Sequence, residues 1–267
     1  MPTRQPAIFI PHGGGPCFWM EFPPPFGPHA WDALRDHLAG LVASLPERPK
    51  ALLVVTAHWE TSQPTVSVNP NPGMLYDYYG FPEHTYRLSY PAPGSPEIAA
   101  EAKRLIEAAG LPVGIDGERG FDHGVFVPLL IVDSEAKIPV VMMSLRKDLD
   151  PAFHIRLGKA LAPLRDQGVV IIGSGMSYHD LSHFFDGGEG PSAKFDDWLD
   201  ETAKAPAKAR EARLADWANA PGARACHPRE EHLMPLMVVA GAAGDSPGRH
   251  SFRDVIGGKV ISGFRFG

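Results

Sequence analysis

The sequence is poor in cysteine and has no long apolar run. Its 267 residues include only two cysteines, Cys17 and Cys226, which excludes a disulfide framework and a cysteine-rich zinc module. No stretch approaches the roughly 20 apolar residues of a membrane-spanning helix, and the apolar run at residues 7–10 is too short for the core of a signal peptide. We therefore expect a soluble, cytoplasmic protein with no membrane partner.

The sequence also lacks a cluster of lysines and arginines. Its formal net charge is −6 and its isoelectric point is about 6.0, whereas nucleic-acid-binding domains present a basic patch or stripe. We therefore expect no nucleic-acid partner. Histidine, in contrast, is abundant, with 12 residues in the chain. It is the commonest metal ligand in proteins, and its side chain titrates near neutral pH.

Short apolar runs alternate with helical patterns along the chain. Candidate strands cover residues 7–10, 51–56, 65–68, 138–143, 169–172 and 259–262, and candidate helices cover residues 95–110, 153–167, 192–218 and 230–244. Continuous apolar runs are typical of central strands that are covered on both faces. The alternation predicts an α/β fold, with one domain over residues 1–267 and a central, mostly parallel mixed sheet flanked by helices.

Two segments between these elements are expected to set substrate specificity. Residues 69–96 are rich in Pro, Gly and Tyr and show no periodicity, and loops of that length are usually functional. Residues 184–190 form the second segment, which follows a candidate strand and a histidine. Loops held on a rigid scaffold usually carry specificity, which is why we assign it to these two.

Three histidines follow candidate strands closely. His12 comes after the first strand, His58 after the second, and His179 a few residues after the strand at 169–172. Ligands of open α/β sheets bind beyond the carboxyl ends of the strands. A single histidine in such a place is more often structural than a ligand, but three in the same relation to their strands favour a shared site.

Two further histidines stand beside carboxylates. Asp122 precedes His123 in a turn flanked by glycines, and Glu231 precedes His232 at the start of a candidate helix. Imidazole and carboxylate ligands around an open coordination position are what zinc hydrolases and non-heme iron oxygenases require. The sequence therefore indicates a metal-dependent enzyme, although residues alone leave the ligand set open.

The glycine run, two aromatic residues and the remaining histidines have less specific interpretations. The Gly13-Gly14-Gly15 run resembles a phosphate-binding turn, but it lacks the Lys-Ser/Thr of a P-loop and the spacing of a dinucleotide fingerprint. Trp59 and Tyr178 either line an aromatic pocket or pack in the core. The remaining histidines are interpreted as surface or packing residues: His29, His37, His84, His154, His183, His227 and His250.

Six motifs occur in a fixed order from residue 11 to residue 236. They are Pro11-His12-Gly13-Gly14-Gly15-Pro16, Thr56-Ala57-His58-Trp59, Tyr90-Pro91-Ala92-Pro93-Gly94-Ser95-Pro96, Gly120-Phe121-Asp122-His123-Gly124, Gly173-Ser174-Gly175 with His179, and Glu231-His232-Leu233-Met234-Pro235-Leu236. Each motif alone is weak. Together they resemble the class III extradiol ring-cleavage dioxygenases, in the branch of the DOPA extradiol dioxygenases. Gly15, where a serine is common, and Met176-Ser177-Tyr178 depart from that pattern.

The resemblance implies a set of metal ligands. It implies one non-heme divalent ion, Fe(II) or Zn(II), with His12 and His58 as its first two ligands. The third ligand falls in the Glu231-His232 pair, where we choose His232 and keep Glu231 open. These assignments come from the family resemblance and not from spacing.

The resemblance also implies a reaction and the catalytic residues. His179 matches a histidine that acts as catalytic base or as an additional ligand, and His123 matches one that assists oxygen or substrate. The expected enzyme is an oxidoreductase of aromatic compound catabolism that cleaves a catechol with O2 next to the diol. Two alternatives stay open: a zinc-dependent hydrolase with Glu231 as general base, and a non-catalytic metal-binding interaction protein. A homodimer is expected only as the commonest oligomeric state.

Overall fold

The computed structural model describes residues 3–24, 26–184 and 189–267. In these residues eight strands lie in one mixed sheet: β1 (Ala7–Pro11), β2 (Ala51–Thr61), β3 (Thr65–Ser67), β4 (Gly114–Asp116), β5 (Val140–Arg146), β6 (Val169–Gly175), β7 (Gly248–Ile256) and β8 (Lys259–Phe266). Their order across the sheet is β4-β3-β5-β2-β6-β1-β8-β7. The expected segments 7–10, 51–56, 65–68, 138–143, 169–172 and 259–262 all contribute to these strands.

Strand pairing confirms the mostly parallel mixed sheet. The central strands pair in parallel as β5-β2-β6-β1, and β3 pairs in parallel with β4. The contacts of β5 with β3, of β1 with β8 and of β7 with β8 are antiparallel. Every residue of β6 is buried, as the continuous apolar run at its start indicates.

Two strands were not expected from the sequence. β4 has only three residues, one of them Gly114, so it lacks an apolar run long enough to stand out. β7 lies at the other edge of the sheet and carries Arg249, Arg253 and Asp254 among its residues. Charged residues are common on edge strands because they discourage pairing with other chains. Both strands escape a search for continuous apolar runs.

Eight α-helices accompany the sheet in the described part of the chain. They are α1 (Asp32–Ala39), α2 (Pro96–Ala108), α3 (His123–Val132), α4 (Pro151–Leu161), α5 (Gly190–Lys204), α6 (Ala207–Ala215), α7 (Ala223–Cys226) and α8 (Met234–Ala242). The helix predicted over residues 95–110 is α2, where the Ser95 hydroxyl accepts a hydrogen bond from the N–H of Ile98. None of the described helices is both long enough and apolar enough to cross a membrane.

Three helix predictions need correction. The region 192–218 is not one helix, because it breaks into α5 and α6 at Pro206, whose ring locks φ and removes a backbone donor. The last helix begins at Met234, and residues 230–233 form a turn instead. The helix expected over 153–167 starts at Pro151 and ends in a 3₁₀ turn.

α3 was not predicted from the sequence, because it is apolar on nearly all sides and therefore has no amphipathic period.

Helices cover both faces of the central strands. Alternate residues of a strand point to opposite faces. On β6 the hydroxyl of Ser174 donates to the carbonyl of Gly124 in α3, whereas a Cβ at the neighbouring Gly173 would meet the carbonyl of Pro235 in α8 at 2.5 Å. α3 and α8 therefore sandwich this strand. This confirms the expected sheet flanked by helices and brings both helix starts to one edge.

Candidate active site

Five histidines surround one cavity of about 700 Å³ at the edge where β1 and β6 end. They are the five that the sequence analysis selected: His12, His58, His123, His179 and His232. The rest of the wall is rich in aromatic side chains: Phe22, Phe26, Trp31, Tyr78, Phe81, Tyr178 and Phe184. Tyr178 thus lines a pocket. Trp59, in contrast, is buried with the guanidinium carbon of Arg119 4.9 Å from its ring centre.

Three adjacent parallel strands deliver three of these histidines. His12 directly follows β1, and His179 lies four residues beyond the end of β6. We expected His58 to follow its strand. Instead it lies within β2, which continues to Thr61. The pairing of β2 with β5 shifts register between Val55 and Glu60, and such an irregularity re-aims a side chain at a strand end.

His232 reaches the site from the turn before α8. Its backbone carbonyl accepts a hydrogen bond of 3.0 Å from the N–H of Met176, just beyond β6. A Cβ on Gly175 would lie 2.1 Å from that same carbonyl oxygen. Only glycine therefore permits the turn to approach the strand this closely, and the approach places His232 beside His12 and His58.

The hydrogen bonds of His12 determine which ring nitrogen carries its proton. The α-helical partner of the Gly124 carbonyl would be the N–H of residue 128, which is a proline and has none. The Ser174 hydroxyl donates to that carbonyl instead. Its oxygen, 3.0 Å from Nδ1 of His12, is left to accept the Nδ1 proton. Nε2 of His12 therefore has a free lone pair.

The same reasoning applies to His232. Its Nδ1 lies 2.8 Å from Oε1 of Glu231, and because a carboxylate accepts only, the proton sits on Nδ1. Nε2 of His58 lies 3.1 Å from Nε2 of His12. One ligand nitrogen from each of His12, His58 and His232 lies within 4.8 Å of the other two. The three form one compact group.

Asp77 is a site residue that the sequence analysis missed. Its Oδ1 accepts hydrogen bonds from both the backbone N–H (2.9 Å) and Nδ1 (2.8 Å) of His123. Its Oδ2 lies 3.9 Å from Nδ1 of His58. The signal that pointed towards it was the aperiodic segment 69–96, which also contributes Tyr78 and Phe81 to the cavity wall.

Glu231 contacts both His179 and His232. Its Oε1 lies 3.2 Å from Nδ1 of His179 and 2.8 Å from Nδ1 of His232, and the two rings stack with centroids 3.4 Å apart. Potential ligand atoms of Glu231, His179 and His232 form one close group. Of Glu231 and His232, only His232 also belongs to the group with His12 and His58.

Burial keeps the central imidazoles neutral at physiological pH. Burial lowers the pKa of His58 to about 3, and the pKa values of His12 and His232 lie well below the usual range for the same reason. The neighbouring histidines lower each of these pKa values further. A neutral imidazole with a free lone pair is the form that binds a metal ion.

The residues present fit a divalent metal ion. Nε2 of His12 and Nε2 of His58 lie 3.1 Å apart, and both nitrogens belong to neutral rings. Two ligands, each ~2.1 Å from one ion, stand roughly 3.0–3.4 Å apart at octahedral or tetrahedral angles. Partners that orient the outer nitrogen of a ligand histidine are typical of metal sites, and Ser174 and Glu231 occupy those positions.

The other histidines are surface or packing residues, as expected, and none of them lines this cavity. His29, His84 and His183 are exposed, whereas His154 and His227 are fully buried among other side chains. Of the segment 184–190, where we expected specificity, Phe184 lines the cavity, and residues 185–188 lie outside the described residues.

A family model described as the catalytic LigB subunit of aromatic ring-opening dioxygenase matches residues 7–264 of the chain. The chain belongs to the LigB family. Members of this family depend on a metal ion and open aromatic rings with O2. The chain is accordingly an extradiol dioxygenase, an oxidoreductase, and the resemblance found in its six motifs is confirmed.

Several known proteins are similar to the chain over most of its length. The dioxygenase tasH of Hapsidospora irregularis is 41% identical over 89% of this chain and 78% of its own length. The 4,5-DOPA dioxygenase extradiol of Beta vulgaris is 44% identical over 75% of each chain, and that of Escherichia coli K12 is 34% identical over 90% and 86%. A crystal structure of the uncharacterized protein JW3007 from Escherichia coli K12 superposes with a TM-score of 0.78 at 28% identity, covering 99% of this chain and 100% of that one.

Proposed function

We propose that this LigB-family enzyme binds one Fe(II) ion through His12, His58 and His232 and cleaves a substituted catechol next to its diol. This proposal rests mainly on one observation: ligand nitrogens of three neutral imidazoles lie within 4.8 Å of one another. In the reaction one ring C–C bond breaks, and both atoms of O2 enter the product, one in an aldehyde and one in a carboxylate. DOPA is a candidate substrate because similar proteins carry that name.

The ion supplies Lewis acidity that favours the deprotonated diol, an open coordination position, and the redox activity that O2 requires. Three protein ligands leave positions open for substrate, which supports the choice of three histidines. We take His232 as the third ligand, because Glu231 has its Oε1 engaged by His179 and His232. Zn(II) suits the same ligands but has no redox chemistry of its own, so we expect a zinc-loaded form to be inactive towards O2.

His179 is proposed as the base that takes a proton from the diol. Its Nδ1 lies 3.2 Å from Glu231, which orients the ring and stabilises its protonated form. About 22% of the His179 side chain is exposed, and His179 lines the cavity, so a bound diol has access to it. An imidazole can take up a proton at one ring nitrogen and return it later in the reaction.

His123 is proposed to hold the substrate or oxygen by hydrogen bonding. Asp77 accepts the Nδ1 proton of His123, which leaves Nε2 as the nitrogen available to a ligand. The aromatic wall of the cavity, including Tyr78 and Tyr178, packs against the catechol ring and excludes water around it. These side chains orient the ring with its diol towards the histidines.

The test is oxygen consumption by protein reconstituted anaerobically with Fe(II) and then mixed with DOPA under air. We expect O2 uptake together with a yellow semialdehyde product, and loss of both in His12→Ala and His179→Ala. The matched control is His29→Ala, because His29 is an exposed histidine that pairs with Asp32; its activity is expected to be unchanged.

Absence of O2 uptake with every catechol, despite one tightly bound metal per chain, would contradict the proposal. Ester or amide hydrolysis by the zinc-loaded protein would then indicate the hydrolase. Metal binding without any turnover would indicate the interaction protein. We further propose that residues 1–267 work as one catalytic domain. We also propose that the protein is cytoplasmic, which cell fractionation tests. A homo-oligomer stays a prediction, and analytical ultracentrifugation tests it.

A further inference from the structure

Four carboxylate or guanidinium side chains line the cavity among its described residues. Two of them, Asp77 and Glu231, are engaged by the histidines. The other two are Glu60 and Arg229, which pair with each other through a 2.6 Å contact from Nη2 to Oε2. Arg229 is the only arginine or lysine in the described wall of this cavity. One pair of opposite charges is thus not tied to a histidine.

This pair lies beside the proposed metal ligands and remains accessible. Glu60 is two residues beyond His58 on β2, and Arg229 is three residues before His232. The Arg229 side chain is 56% exposed. A guanidinium has five N–H donors in a planar fork that matches a carboxylate. Glu60 takes one donor, and Oε2 of Glu231 lies 3.3 Å from Nη1, so donors remain for a ligand.

We propose that the Arg229–Glu60 pair selects substrates by the charge on the ring substituent. Arg229 binds a carboxylate at the end of that substituent, and Glu60 binds an ammonium group there. A substituent with both charges replaces the internal ion pair with two ion pairs to the ligand, whereas a neutral substituent gains neither. This inference rests on the proposed function, because it concerns the substrate of the same site.

The first experiment compares three catechols with similar chains and different charges. They are 3-(3,4-dihydroxyphenyl)propanoate, dopamine and 4-propylcatechol, and the quantity measured is kcat/KM relative to the neutral compound. In Arg229→Gln the ratio for the acid falls about tenfold, as expected for a lost charged hydrogen bond, and the ratio for dopamine rises. In Glu60→Gln both ratios move in the opposite directions.

The ratio separates charge selection from general damage. Arg229 also approaches Glu231, so its loss disturbs the proton-handling group and lowers kcat for all three catechols alike. That effect cancels in the ratio. Equal ratios in the wild type and in both variants would overturn the inference while leaving ring cleavage intact. Glu60→Gln keeps the test decisive if Arg229→Gln fails to fold.

A second measurement does not depend on turnover. Isothermal titration of 3-phenylpropanoate and of 2-phenylethylammonium into the iron-loaded protein under nitrogen reports binding of the substituent alone. The acid is expected to bind about tenfold more weakly to Arg229→Gln, and the amine about tenfold more weakly to Glu60→Gln. If no catechol is cleaved but these shifts appear, the proposed function fails and the charge selection stands. Unchanged affinities in both variants would overturn it.

Discussion

Asp77 binds His123 through two hydrogen bonds that end on one carboxylate oxygen, 2.9 Å from the backbone nitrogen and 2.8 Å from Nδ1 of the ring. Burial alone would raise the pKa of Asp77, but the hydrogen bonds and charge of His123 outweigh burial and lower it. The carboxylate is therefore ionised at neutral pH. It fixes both the position and the tautomer of an imidazole that the proposed mechanism uses.

We predict that Asp77→Asn lowers kcat by about 10- to 100-fold, in the range found for residues that orient a ligand or catalytic histidine. The KM for the catechol is expected to rise as well, because His123 is proposed to hold the substrate or oxygen by hydrogen bonding. Oxygen uptake at varied catechol concentration separates the two constants. Asp32→Asn is the matched control, since Asp32 pairs with the exposed His29 far from the cavity. Unchanged kcat and KM in Asp77→Asn would argue against a role through His123.

We predict that Ser174→Ala weakens metal binding by about 10- to 100-fold, because the Nδ1 proton of His12 loses its acceptor. Affinity is measured by competition for Zn(II) with a chromophoric chelator. Ser67→Ala is the control: Ser67 is also buried and accepts from the N–H of Met142, so it costs similar stability without touching a histidine. Equal affinities in the two variants would show that Ser174 matters only for folding.

We predict that Gly158→Ala destabilises the protein by about 2–3 kcal/mol through overpacking. Gly158 lies where α4 meets α8, and a Cβ there would be 2.0 Å from the carbonyl oxygen of Val238. Gly40→Ala is the control, because the nearest atom to its Cβ would be 3.6 Å away and its φ is −80°. Urea unfolding measures both free energies. Equal stability of the two variants would mean that α4 and α8 separate at little cost.

The fourth prediction concerns pH. Burial lowers the pKa of His227 to about 3; His179 and Arg224 lower it further, while the Ser177 carbonyl and Glu231 oppose the shift. In the unfolded chain the pKa is near 6.5, so between these values only the unfolded chain binds the proton. The contribution of His227 to stability is therefore fully present above pH 6.5. It is lost as the pH falls towards 3, by up to about 1.4 kcal/mol per pH unit.

Urea unfolding of metal-free protein between pH 7 and pH 5 measures this slope. His227→Gln retains a donor for the Ser177 carbonyl, which lies 3.0 Å from Nε2, but it has no titrating ring, so its slope is expected to be smaller than that of the wild type. His29→Gln should leave the slope unchanged, because His29 is exposed. Identical slopes for His227→Gln and the wild type would refute the assignment.

The strands that carry the site were readable from the sequence because their signal is local. β6 begins with a continuous apolar run at residues 169–172, and the burial of the strand on both faces is what that run indicates. β7 has no such run, since an edge strand needs only one apolar face and tolerates charges such as Arg253. Pro206 shows the limit for helices, because two amphipathic segments on either side of it look continuous.

The sequence by itself determined that His12 and His179 would follow strands of the sheet and that the chain resembles ring-cleaving dioxygenases. The tertiary structure decided what surrounds them. Asp77 meets His123 across 46 residues, and Arg229 meets Glu60 across 169. No periodicity or spacing links residues that far apart, because their contact arises only when strands and turns are packed together. Tautomers, orienting partners and the charge pair at the cavity therefore belong to the folded protein alone.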